Sequence, residues 1–99
     1  MTQWIVLASV VGGNPSKDFE LRTLGEVKGS PEDAQNALLE AVNNYADDVW
    51  KVTRRQVFKC SDSSYLVRVE GRVAKYEYLI QLAEQVADTE SAELPDTVE

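Results

Sequence analysis

Any chemistry in this chain has to run without histidine, because none of its 99 residues is one. Histidine titrates nearest neutrality and is the commonest metal ligand. Its absence removes the Ser-His-Asp and Cys-His nucleophile pairs, His-ligated zinc and His-ligated haem. The one soft nucleophile is Cys60. Lys59 and the Arg54-Arg55 pair are close in sequence and would lower a thiol pKa. Alternation along a strand, however, turns Lys59 to the face opposite Cys60, and no base is present to activate the thiol. Cys60 therefore reads as a buried free cysteine beside Phe58.

The carboxylates offer little more. Asp47-Asp48 follows a predicted helix, where anions oppose the macrodipole. Either the helix stops early, on Asn43-Asn44, or the pair meets Lys51, Arg54 or Arg55 nearby. A cation site shared with Glu40 would have too few oxygens and no glycine-turned loop, so the pair reads as a solvated helix end. Paired carboxylates can divide acid and base roles when their pKa values are pushed apart, but no spacing here singles out two. Gly12-Gly13-Asn14-Pro15 follows a strand and precedes another strand. A phosphate loop would open a helix instead. No catalytic, cofactor-binding or metal-ligating residue is assigned, and no cofactor is expected.

A basic, aromatic stretch remains. The net charge is −7, yet residues 51–75 hold seven bases and two acids, while residues 76–99 hold seven acids and no base. Lys51, Arg54, Arg55, Lys59, Arg68, Arg72 and Lys75 fall on three predicted strands, with Tyr65, Tyr76 and Tyr78 among them. Cations interleaved with aromatics on a sheet can hold single-stranded nucleic acid. The alternative is that they pair with Glu20, Glu26, Asp47, Asp48 and Glu70 on neighbouring strands. The net negative charge disfavours a polyanion. The tail after Asp88 could shield this basic face.

These residues must be positioned by a single small domain. Trp4–Val11 is a short apolar run rich in β-branched residues, read as a strand buried on both faces. A loop over Gly12–Asp18 leads to an alternating strand, Phe19 to about Lys28, with Gly25 marking a bulge. Ser30-Pro31-Glu32-Asp33 is a helix start. Ala34, Ala37, Leu38, Ala41, Val42 and Tyr45 then form one apolar stripe, predicting a helix from about Pro31 to Ala46. Val49–Cys60 and Tyr65–Gly71 read as strands. From Val73, alternation predicts a strand to about Ile80, and the spacing of Leu79, Leu82, Ala83 and Val86 predicts a short helix to Ala87. The expected class is α+β: an antiparallel sheet in the order β-β-α-β-β-β-α, with one long helix packed on one face and a short C-terminal helix. Residues 1–88 form the domain and 89–99 a disordered acidic tail.

The order helix, three strands, helix from Pro31 onward resembles the double-stranded RNA-binding fold. That fold's lysine-rich second-helix start is absent, and Gln81, Glu84 and Asp88 stand there instead. Three segments together carry a second resemblance: the Trp-containing opening strand, Phe19-Glu20-Leu21-Arg22, and Tyr65–Gly71 followed by Leu82–Asp88. Through them the chain resembles a group of small actinobacterial proteins of unknown function. The resemblance implies a bacterial, cytosolic, stand-alone domain and carries over no site residue. A lone cysteine agrees with a reducing compartment. The run Trp4–Val11 is too short to span a bilayer, and no base precedes it as in a secretory signal.

The sequence therefore points to a cytoplasmic, non-catalytic protein-interaction or accessory domain acting through its sheet. One helix covers one face, so the second face needs the C-terminal helix or a second copy of the chain, and a homodimer is the preferred arrangement. Nucleic-acid binding through residues 51–75 and a small histidine-independent enzyme are the alternatives. No membrane partner is expected.

Overall fold

The computed structural model describes residues 2–14 and 20–98. They form five strands and one helix: β1 (Thr2–Asn14), β2 (Leu21–Gly29), α1 (Pro31–Asn44), β3 (Arg54–Ser61), β4 (Ser64–Glu70) and β5 (Lys75–Glu84). Every pairing is antiparallel, and the strands lie in the order β2-β1-β5-β4-β3. The longest strand, β1, is flanked by its hairpin partner β2 and by the last strand, β5.

The helix begins where its sequence says it should. Ser30 caps it: Ser30 Oγ accepts from Asp33 N at 3.1 Å, and Asp33 Oδ2 accepts from Ser30 N at 3.2 Å. This reciprocal pair satisfies two backbone donors that the first turn leaves without partners. Pro31 has no N–H to lose there. At the far end the helix stops at Asn44, two residues short of the expected Ala46. Tyr45 adopts an extended conformation while its N–H still donates to Ala41 O at 2.8 Å.

The expected β-β-α-β-β-β-α order has to be corrected, because no second helix follows among the described residues and β5 runs on to Glu84. The helical spacing of Leu79, Leu82 and Val86 coincides with a two-residue period in which Tyr76, Tyr78, Ile80 and Leu82 all meet the core. The thirteen-residue β1 decides between the two periods. It pairs with β5 as far as Trp4↔Glu84, which gives residues 81–84 a full ladder that a helix would forfeit.

Two smaller corrections concern β1 and β3. Gly12 and Gly13 are strand residues facing Glu77 and Tyr76, not a relaxed loop, and Phe19 with most of the expected loop lies outside the described residues. β3 starts at Arg54, since residues 49–53 form an irregular connection. The bulge expected at Gly25 is present: Val6 pairs with Gly25 and Leu7 with Thr23, so Leu24 is the extra residue.

The core lies between α1 and one face of the sheet. Ala34, Leu38 and Val42 meet Val6, Ala8 and Val10 of β1, Val67 and Val69 of β4, and Tyr76, Tyr78 and Ile80 of β5. A helix of this length spans about 21 Å and lies on β1, β2 and β5. Tyr45 and Val49, from the connection after it, extend the core toward β4. Beyond Glu84 the chain is held to β1 by Gln85 N donating to Gln3 O at 2.8 Å, and it turns back where Asp88 N donates to Pro95 O at 2.9 Å.

Candidate interaction surface

The face turned away from α1 carries no second helix or sheet among the described residues; the turns of 85–98 meet it at its edge, by Gln3 and Lys28. Strand alternation assigns its members, and the register sorts them into rows across the strands. The middle row reads Leu21 (β2), Ser9 (β1), Leu79 (β5), Leu66 (β4) and Phe58 (β3). A parallel row holds Thr23, Leu7, Gln81 and Ser64, and beyond it lie Glu26, Ile5 and Ala83. On the other side of the middle row stand Glu77, Arg68 and Gln56, then Lys75, Glu70 and Arg54.

The chemistry of this face is an apolar band with charged margins. Leu21 is 66% exposed and Phe58 42%, and Ile5, Leu7, Leu66, Leu79 and Ala83 are half-buried. Arg68 joins band to margin: its guanidinium lies 5.0 Å from the Phe58 ring centroid, and its Nε donates to Glu77 Oε2 at 2.7 Å. The margins hold Lys28, Arg54, Arg68 and Lys75 against Glu26, Glu70 and Glu77. The face is thus nearly neutral on a chain of net charge −7. A shallow hollow of about 360 Å³ at this margin is lined by Gln56, Arg68, Glu70, Lys75 and Glu77.

The ten residues picked out from the sequence do not form one surface. Arg54, Arg68 and Lys75 are on the open face. Arg55, Lys59, Tyr65, Tyr76 and Tyr78 belong to the helix-side face, while Lys51 and Arg72 sit in connections. Tyr76 and Tyr78 are buried and stacked at 6.2 Å, with Tyr45 edge-on to Tyr78 at 4.9 Å, so neither offers a ring face to a ligand. Arg55 Nη1 donates to Val42 O at 3.1 Å in the last turn of α1, where a cation complements the dipole, and burial pulls this guanidinium down from its ordinary value. Lys59 pairs with Asp62 at 3.0 Å, and that hydrogen bond raises its pKa. Lys51 Nζ sits 4.8 Å from the Trp50 ring centroid.

Cys60 is exposed, not buried as expected. β3 is an edge strand, and the register shift between Lys59 and Ser61 leaves Cys60 without a cross-strand partner to cover it.

Asp48 does not meet Lys51, Arg54 or Arg55, nor is it a solvated helix end. Its carboxylate accepts from Arg22 Nη1 at 2.6 Å and Nη2 at 3.1 Å, and from the Tyr78 hydroxyl at 2.8 Å. Arg22 Nη1 also donates to Tyr45 Oη at 2.5 Å, and Nη2 to Glu20 Oε2 at 2.9 Å. The Arg22 and Asp48 side chains are 18% and 11% exposed. This network ties β2, the end of α1, the connection after it and β5 together. The Asp48 hydrogen bond, followed by those to Glu20 and Tyr45, drives the Arg22 pKa up. Burial first, then the bond to Asp48, raises that of Tyr78. Arg22 Nη1 and Nη2 and the Tyr78 hydroxyl are all aimed at protein acceptors, so the network acts as a clamp between these elements. The sequence signal for it was the alternation that puts Arg22 on the same side as Ala8.

Among the described residues no three His, Cys, Asp or Glu side chains converge as metal ligands. No described helix is long and apolar enough to cross a membrane. No protein-family model, curated protein or solved structure matches this chain.

Proposed function

We propose that this domain is a non-catalytic protein-interaction module whose working surface is the open face of its sheet, and that the face is occupied by a second copy of the chain. The observation that carries the reading is the row Leu21-Ser9-Leu79-Leu66-Phe58, apolar at every position but Ser9, on a face that α1 does not cover.

Size and charge both favour self-association. Five strands spaced about 4.8 Å apart and averaging about 31 Å in length give a face of roughly 600–800 Å². Two such faces together match a standard protein–protein interface of about 1,200–2,000 Å². Two identical surfaces can close on each other only if they do not repel. The near balance of Lys28, Arg54, Arg68 and Lys75 with Glu26, Glu70 and Glu77 meets that condition while the acidic excess lies elsewhere. Face-to-face sheets pack about 10 Å apart with their side chains interdigitated, and the leucines and Phe58 supply that layer.

A benzophenone side chain placed at Leu66 tests the reading by photo-crosslinking in the native cell. The expected product has twice the 11.1 kDa mass of one chain, and it disappears in Leu79→Glu and in the milder edge variant Phe58→Ser. A product with a different protein would remove the second copy and keep the face. No product at all would refute the reading.

A further inference from the structure

The molecule is electrically lopsided along its strands. At one end the α1–β3 connection and the β4–β5 turn are pinned together: Thr53 donates to Glu70 O from N at 2.7 Å and from Oγ1 at 3.1 Å. Gly71 is packed so tightly beneath the connection that a Cβ there would lie 2.6 Å from Trp50 O. This end exposes Lys51, Arg54, Arg72 and Lys75. At the other end Glu84 closes β5, and the turns of residues 85–98 carry Asp88, Glu90, Glu93 and Asp96, with Leu94 half-buried beside Gln3 and Lys28.

β5 separates the two ends. From Lys75 to Glu84 it spans about 30 Å, several times the roughly 8 Å Debye length at physiological salt. The acidic tail is therefore placed away from the basic end of its own chain, and the shielding expected from the sequence is not an intramolecular contact in this structure.

Two sheets packed face to face with aligned strands can run the same way or opposite ways. The first arrangement sets Lys75 over Lys75 and tail beside tail. The second sets each basic end against the acidic end of the other copy, twice by symmetry. It keeps Leu79 facing Leu79, since Leu79 lies on the middle strand of the middle row, and it moves Lys75 over Ala83 of the second copy, next to Glu84. We infer that the two copies pack with their strands antiparallel, and that the basic end (Lys51, Arg54, Arg72, Lys75) recognises the acidic end (Glu84, Asp88, Glu90, Glu93, Asp96) of the second copy. This rests on the face-to-face pairing proposed above and adds what orients it. Complementary charge arranged in this way selects one register and suppresses the other.

Single cysteines in a Cys60→Ser background separate the possibilities, using a bismaleimide that reaches about 10 Å, the sheet-to-sheet spacing. Leu79→Cys should cross-link to itself in either orientation. Lys75→Cys should not cross-link to itself, because antiparallel packing holds the two positions about 26 Å apart. A mixture of Lys75→Cys and Ala83→Cys chains should give the mixed dimer. If Leu79→Cys fails to couple, the face-to-face reading itself falls. If it couples and Lys75→Cys also couples to itself, only the orientation is overturned. A second readout is the triple variant Glu90→Gln, Glu93→Gln, Asp96→Asn of the full chain. Exposed charge pairs are individually weak, and together these should weaken dimerisation about tenfold at low salt and hardly at all at 0.5 M salt. An unchanged dissociation constant at low salt would overturn the inference.

Discussion

Replacing Asp48 by alanine should be among the most damaging single changes away from the apolar core. The substitution removes the acceptor for two Arg22 hydrogen bonds and one from Tyr78. Breaking a buried ion pair by deleting one partner costs about 3–5 kcal/mol, because the other charge is left unpaired. Here Arg22 is 18% exposed and retains Glu20 at 2.9 Å, which moves that contribution to about 1–2 kcal/mol. The Tyr78 hydroxyl, buried and deprived of a charged acceptor, adds about 1.5 kcal/mol. The expected loss is about 3 kcal/mol, a large share of the roughly 5–15 kcal/mol that a domain possesses. Urea unfolding followed by far-ultraviolet circular dichroism measures it, at one fixed protein concentration since self-association raises apparent stability. In the Asp48→Ala background, Arg22→Leu should cost much less than in the parent chain, because the carboxylate it serves is already gone. A loss below about 1 kcal/mol, the range of a solvated surface pair, would refute the argument that this network clamps the fold.

Three further outcomes follow from the same structure. Tyr78 is harder to ionise in the folded chain, where burial and then the Asp48 bond raise its pKa. The stability it confers is complete below the unfolded tyrosine pKa of about 10 and is lost as pH climbs above it; Tyr78→Phe should flatten that alkaline decline in urea titrations, and an unchanged slope would count against it. Ser30→Ala deletes one half of the capping box and should lower the urea midpoint by the equivalent of about 1 kcal/mol. Gly71→Ala would bring a Cβ within 2.5 Å of Val49 Cγ1 and 2.6 Å of Trp50 O. Backbone cannot yield there as a side-chain tip would, so thermal unfolding should register a loss of about 1–3 kcal/mol.

Local signals told the truth wherever one period operated alone. Ser30-Pro31 with its acidic first turn and the stripe from Ala34 to Tyr45 located α1 to within two residues, because capping and amphipathicity are both written in neighbouring positions. Residues 79–86 satisfied a helical and a strand period at once, and the deciding fact, a β1 ladder reaching Glu84, is about 80 positions away in the chain. The same non-locality hid Asp48. Its neighbours Lys51, Arg54 and Arg55 are close in sequence, whereas Arg22 reaches it only because the β1–β2 hairpin delivers β2 to the end of α1. Cys60 was misjudged for lack of one datum, that β3 is an edge. The open face was half legible: the doubly apolar β1 announced a second surface to be covered, but the lateral row from Leu21 to Phe58 exists only once the strand order is known.

The adjacency of β1 and β5 has a consequence for the birth of the protein. Trp4 cannot find Glu84 until the residues between them have been made. During synthesis the first hairpin and α1 must wait with one flank of β1 unsatisfied. Such distant pairings make folding slow and leave strand edges open to wrong partners in the interval. A nascent chain stalled anywhere before residue 84 would lack part of its central ladder. β5 therefore closes the sheet only on molecules translated through residue 84.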